Sequence, residues 1–119
     1  MKAKVGLFIL AIIIIAAVFL ILSNQPNLPK EEGKTWVDKH LTQCAEDWQM
    51  WGAEKLYSHL DNLIKDFYEE EHGITIYSVH HEEARGDACE ACTCLAPVRL
   101  FLQIANEDAD KMEALGYNR

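Results

Sequence analysis

Eighteen consecutive residues, Val5 to Leu22, carry no charge and no strongly polar side chain. A run of that kind cannot be shared with a water-soluble core of ordinary size. As a helix rising about 1.5 Å per residue it spans roughly 27 Å, close to the hydrocarbon thickness of a bilayer. Of the chain's 119 residues, Ser23 to Arg119, about 97, are then left to build a water-soluble fold.

The flanks of the run set an expected orientation. Lys2 and Lys4 stand before it, whereas the first residues beyond it hold Lys30 and Lys34 balanced by Glu31 and Glu32. An excess of Lys and Arg marks the cytoplasmic side of a span. The expected organisation is a cytoplasmic amino terminus over 1–4, a transmembrane anchor over 5–22, a linker over 23–34 and a small extracytoplasmic domain over 35–119. A cleavable signal peptide has a shorter apolar core, about 7–15 residues, and ends in small residues of the Ala-x-Ala type. Here the run ends Leu20-Ile21-Leu22-Ser23-Asn24-Gln25, so an uncleaved signal-anchor in the cell membrane, crossing once with its amino terminus inside, is expected.

Charge argues against two classes of partner. The chain has 11 Lys and Arg against 19 Asp and Glu. Setting aside Lys2 and Lys4 leaves nine against nineteen, a net charge of about −10 on the soluble part, with no basic patch of the kind nucleic acid or anionic lipid heads require. A domain of this size also buries only about 60–65% of its unfolded surface, which disfavours a large enclosed active site.

Beyond the linker, SNQPNLPKEEG, Thr35 and Asp38 form a short-armed capping box, and Val37, Leu41, Cys44, Trp48 and Trp51 fall on one helical face. Leu56, Leu60, Leu63 and Phe67 resume the stripe one position later, after Gly52, and Gly73 supplies a left-handed stop. This pattern predicts one long amphipathic helix with a bend at Gly52. Ile74 to about His81 alternates and is rich in β-branched residues, which predicts a strand. Val98 to Ile104 predicts a second, with Val98, Leu100, Leu102 and Ile104 on one face and Arg99 and Gln103 on the other. Asn106 is expected to cap a short helix, Glu107 to Leu115, closed by Gly116 and Tyr117 in a Schellman ending. The expected class is α+β: after the membrane helix, a long amphipathic helix packed on a two-stranded antiparallel sheet, with a short C-terminal helix. Tyr77, Val79 and Phe101 are expected on the sheet's second face, under Met112, Leu115 and Tyr117.

Cys89-Glu-Ala-Cys92-Thr-Cys94, with Cys44 upstream, is the most informative local motif. An exterior location favours disulfides. Pairing Cys92 with Cys94 would need a strained ring. Cys44–Cys94 with Cys89–Cys92, or Cys44–Cys92 with Cys89–Cys94, therefore remain, and strand parity, which aligns Cys94 with Val98 and Leu100, favours the first. The alternative is a zinc site on Cys44, Cys89, Cys92 and Cys94, with His80 or His81 as further ligands, since Cys-x2-Cys is zinc-knuckle spacing. Against it, no second spaced pair exists. A third reading is thiol–disulfide exchange through Cys89 and Cys92, opposed by the acidic surroundings of Glu90 and Asp87.

Neighbours on a strand point to alternate faces, so His80 and His81 cannot converge on one ion without a bend. Trp48 and Trp51 fall on the expected core stripe, whereas Trp36 could sit at lipid headgroups. No Ser/His/Asp set, phosphate-binding glycine loop or HExxH run occurs. Gly-Ile-Thr-Ile-Tyr77, the cysteine cluster and Glu107-Asp-Ala-Asp-Lys-Met-Glu-Ala-Leu-Gly116 together resemble segments of small membrane-anchored microbial proteins. The likeness covers under half of the chain and implies no activity, cofactor or site residue. The expectation is a non-enzymatic accessory or interaction subunit of a membrane or surface assembly, without a cofactor. It would meet lipid through 5–22 and a protein partner or a second copy through Trp36, Trp51, Tyr77 or Phe101.

Overall fold

The computed structural model describes residues 2–23, 27–55, 59–89 and 91–119. Leu56 of the expected helical stripe, residues 24–26 of the expected linker and Glu90 of the cysteine segment lie outside them. Helix α1 (Lys2–Ser23) contains the apolar run. From Lys2 to Ile21 it is long and apolar enough to cross a membrane. From Lys2 to Ile21 its side chains are exposed all round; Phe8 and Phe19 are each 70% exposed.

The remainder is an α+β arrangement around an antiparallel sheet of three strands, not two. Strands β1 (Lys34–Thr42), β2 (Ser78–Glu83) and β3 (Leu95–Ala105) lie in the order β1-β3-β2. The additional strand comes from residues expected to begin the long helix at Thr35. Thr35, Val37 and Leu41 satisfy a two-residue period as well as a helical one, and Thr, Trp and Val favour a pleated surface. The alternation is disguised by Lys39. It stands opposite Leu100 on the core side of the sheet, yet its ammonium reaches Glu46 at 2.9 Å, so its stem lies along apolar surface while its charge is paired.

Trp48 and Trp51 then belong to a separate short helix, α2 (Asp47–Trp51), opened by a capping box between Glu46 and Gln49. Gly52 ends α2 rather than bending a longer helix. Its backbone is ordinary, φ −86°, and its role is spatial: an added Cβ would overlap Leu63 Cδ1 and lie 2.9 Å from Cδ2. Leu63 belongs to α3 (Leu60–His72), which ends at Gly73 in the left-handed region, φ 64°. Ile74 and Ile76 are buried, and the Tyr77 N–H donates to the Gln103 carbonyl, so this segment runs beside β3 before formal pairing starts at Ser78.

The final helix is divided. Asn106–Asp108 is a 3-10 turn and α4 spans Ala109–Ala114. Asn106 makes no side-chain cap; its N–H instead donates to the Gly33 carbonyl. The Schellman ending is present. Tyr117 N–H donates to Met112 O and Gly116 N–H to Glu113 O, with Gly116 at φ 97°.

One core cluster gathers Val37, Leu100, Leu102 and Ile104 of the sheet, Trp48, Leu63, Ile64, Phe67 and Tyr68 of α2 and α3, and Ala109, Met112 and Tyr117 of the C-terminal part; Val79 packs against it. Met112 and Tyr117 are thus on the main core rather than over a second face. Val79, opposite Leu102, lies on the same side, which corrects its expected grouping with Phe101. The sheet's other face carries Trp36, Asp38, Ser78, His80, Arg99, Phe101 and Gln103. Phe101 is buried but stands outside the cluster, flanked by Asp38 and by the His80 ring at 5.9 Å. Within the core, the Tyr68 and Tyr117 hydroxyls hydrogen-bond at 2.7 Å. Burial pushes the Tyr68 phenol up to about 12 and raises Tyr117 further, since a phenolate would lose its hydration there.

Candidate functional site: a doubly bridged loop at one end of the sheet

The cysteines gather where β1 ends and β3 begins. Thr42 pairs with Leu95, and the Gln43 N–H continues the ladder to the Cys94 carbonyl at 2.8 Å. A tight turn closes from Cys94 N–H to Ala91 O at 2.9 Å. Continuing the register places Cys94 opposite Gln43 and Cys44 opposite Thr93. In an antiparallel pair, facing residues share a side of the sheet, so Cys44 and Cys94 project to opposite sides. The structure accordingly pairs Cys44 with Cys92, Cα–Cα 4.3 Å, and Cys89 with Cys94, Cα–Cα 6.2 Å. This corrects the parity argument that favoured Cys44–Cys94 with Cys89–Cys92, because that argument placed Cys44 on a helix. No cysteine is free.

Gln43, Gly86 and Asp87 hold this loop. The Gln43 side-chain amide donates to the Cys89 carbonyl at 2.7 Å. Asp87 accepts the Leu95 N–H on its carboxylate at 2.9 Å and donates its own N–H to the Leu95 carbonyl at 2.9 Å. At Gly86 a Cβ would lie 3.0 Å from the Pro97 nitrogen and 3.1 Å from the Leu95 carbonyl, so the loop's close approach to β3 leaves no room for a side chain. The Gly86-Asp87 dipeptide was the available signal, being a strong turn former.

Among the described residues, the donor atoms of Asp87, Cys89 and Cys94 lie within 4.8 Å of one another and form one group able to hold a metal ion. While Cys89 and Cys94 are joined, their sulfurs are not thiolates, so metal binding there requires reduction. His80 and His81 are not part of this group. His80, opposite Phe101, meets Glu82 at 3.1 Å; His81, opposite Leu100, meets Asp61 at 3.3 Å. The two rings thus take different partners on alternate faces.

The aromatic candidates separate in the same way. Trp51 stacks edge-on with Phe67 at 5.7 Å, donates to Glu71 at 3.0 Å and carries the Lys55 ammonium 3.1 Å above its ring. Tyr77 is 42% exposed, with the Lys34 ammonium 4.2 Å from its ring centroid. Trp36 is half-buried and donates its indole N–H to the Pro29 carbonyl at 2.8 Å. Tyr77 is thus exposed, Trp36 and Trp51 are half-buried with their indole N–H groups bonded, and Phe101 is buried. No family model, curated protein or solved structure matches the chain.

Proposed function

We infer that the chain is a single-span membrane protein, amino terminus inside, that displays residues 35–119 outside the cytoplasm as a disulfide-stapled domain, and that it serves as an accessory or interaction subunit of a membrane or surface assembly. The observation that carries this reading is the pairing of all four cysteines in a chain that also holds an apolar helix of span length. Disulfides persist in oxidising compartments, and a domain with a small core gains most from them. A paired cysteine presents no thiolate nucleophile. With Cys89 joined to Cys94, the Cys89–Cys92 exchange reading loses its pair. Intact mass of protein from its own membrane, measured with and without reduction, is expected to show a retained leader and a gain of four hydrogen atoms on reduction, two for each bridge. Four free thiols, or a reporter fused behind Arg119 that is active only inside the cell, would overturn the reading. A strictly monomeric species after gentle crosslinking would overturn the subunit role.

A second reading is supported by the grouping of Asp87, Cys89 and Cys94: a zinc-binding domain populated when the thiols are reduced. Near-stoichiometric zinc in protein isolated with reduced cysteines favours it; metal-free protein with intact disulfides excludes it.

A further inference from the structure

The linker's last residues are fixed to the sheet at the end opposite the cysteines. The Trp36 indole holds the Pro29 carbonyl, Lys34 pairs with Glu31 at 2.7 Å, and the Asn106 N–H holds the Gly33 carbonyl at 3.0 Å. The chain between α1 and the folded part is thus short. From Ser23 to Pro29 there are six Cα steps, at most about 22 Å even when fully extended. Strand β1 alone, nine residues long, runs roughly 27 Å from this end to the cysteine end. If α1 spans a bilayer, the Pro29 end of the domain is therefore held beside it.

This end has a distinctive composition. An open cleft is lined by Lys30, Glu31, Lys34, Thr35, Trp36 and Arg119, and the exposed Tyr77 lies under Lys34. Lys34 is matched by Glu31, and Arg119 by Asp110 and Glu113. Lys30 makes no ion pair among the described residues and is exposed. Trp and Tyr are enriched where protein meets the headgroup layer, and a Lys there can reach a lipid phosphate.

We propose that this face, with Trp36, Tyr77 and Lys30 as its contacts, rests on the phosphate-bearing headgroup layer of the bilayer that holds α1, so that the cysteine end points away from the membrane. The proposal rests on the membrane-anchor reading. Weak contacts suffice, because the tether makes docking intramolecular at a high effective concentration.

The test uses the full chain reconstituted in phosphatidylcholine vesicles, with and without bromine near the upper end of the acyl chains. Flotation reports insertion of α1, and near-UV circular dichroism reports folding. Brominated lipid is expected to quench tryptophan fluorescence at least twofold more in the unaltered chain than in Trp36→Phe, because Trp36 is the tryptophan that lines the proposed contact. Lys30→Glu is expected to reduce the Trp36 part of the quenching at least twofold with the dichroism spectrum unchanged. Equal quenching of the unaltered chain and Trp36→Phe in floated vesicles overturns the docked face and leaves the anchor standing. Unchanged quenching in Lys30→Glu overturns the headgroup contact. A chain that does not float overturns the anchor reading, and the proposal with it.

Discussion

The two disulfides close loops of very different size, and their removal is therefore expected to cost different amounts. Cys44 and Cys92 are 48 residues apart and Cys89 and Cys94 are five apart. In the chain-entropy model the larger closure restrains the unfolded state by about 4 kcal/mol at 25 °C, the smaller by about 2 kcal/mol. The perturbations are Cys44→Ala with Cys92→Ala, and Cys89→Ala with Cys94→Ala, each pair removed together so that no free thiol can reshuffle the other bridge. Urea unfolding of the full chain in mild detergent, followed by tryptophan fluorescence, measures both; Trp48 is in the core and reports its loss. The long-loop variant is expected to be the less stable by about 2 kcal/mol, and the short-loop variant to keep a cooperative transition. Equal losses, or a greater loss from the short loop, would refute the entropic ordering. Peptide mapping of the unaltered protein that joined Cys44 to Cys94 would refute the register from which it follows.

Further substitutions probe buried positions. Tyr68→Phe leaves the buried Tyr117 hydroxyl without its partner and is expected to cost about 1–3 kcal/mol in urea unfolding, whereas Tyr68→Phe with Tyr117→Phe should cost less than the two single losses combined. The raised tyrosine pKa values also give a sign with pH. The neutral phenols favour the fold, so their stabilisation is complete below pH 10 and is lost as pH rises through about 12 for Tyr68; a midpoint that rose over that interval would contradict the burial. Gly52→Ala is expected to destabilise by about 1–2 kcal/mol through overlap with Leu63, and to cost at least 0.5 kcal/mol less, roughly, in a Leu63→Ala background, since the same space is then open. Gln103 is 2% exposed and its side-chain nitrogen has no hydrogen-bond partner among the described residues. Gln103→Met should therefore be neutral or stabilising by up to about 1 kcal/mol in thermal unfolding.

Local chemistry was legible where one element answered to one pattern. The apolar run, the strand around Leu100 to Ile104, and the glycine stops at Gly73 and Gly116 are read directly from period and turn chemistry. The expected long helix failed because Val37, Leu41, Cys44, Trp48 and Trp51 satisfy the helical spacing while being shared between a strand, a connection and a five-residue helix. Lys39 removed the one alternation that would have revealed β1, and only the tertiary partner Glu46 explains its place on the core side. The disulfide pairing inherited that error, since the side to which Cys44 points depends on whether it follows a strand or a helix. Gln43 carried too little local signal, and the Gly86-Asp87 turn signal did not name the residue it would hold, because the partners, Cys89 and Leu95, are set by long-range register.

The central position of β3 explains why the cysteines belong where they are. A three-stranded sheet has two edges, and an edge strand with free N–H and C=O groups invites pairing with another chain. Along β1, Asp38 exchanges two backbone hydrogen bonds with Asn118, at 2.8 and 2.7 Å, so the C-terminal tail occupies part of that edge. β2 is six residues long and reads Ser-Val-His-His-Glu-Glu, short and charged, which blunts the other. At one end of the sheet β1 leaves and the long connection from β2 returns to start β3, joined by backbone hydrogen bonds from Gln43 to Cys94, from Ala84 to Pro97 and from Asp87 to Leu95. Each hydrogen bond there is to a loop that a small core cannot hold by burial: Cys89 and Cys92 are exposed. A bridge from Cys44 to Cys92 ties the outgoing strand to the incoming loop across 48 residues, and Cys89–Cys94 sets the shape of the loop it ties. The covalent links thus stand at the end of the sheet where the loop of Cys89 and Cys92 is exposed, while the end bearing Trp36 is held by the linker that folds back upon it.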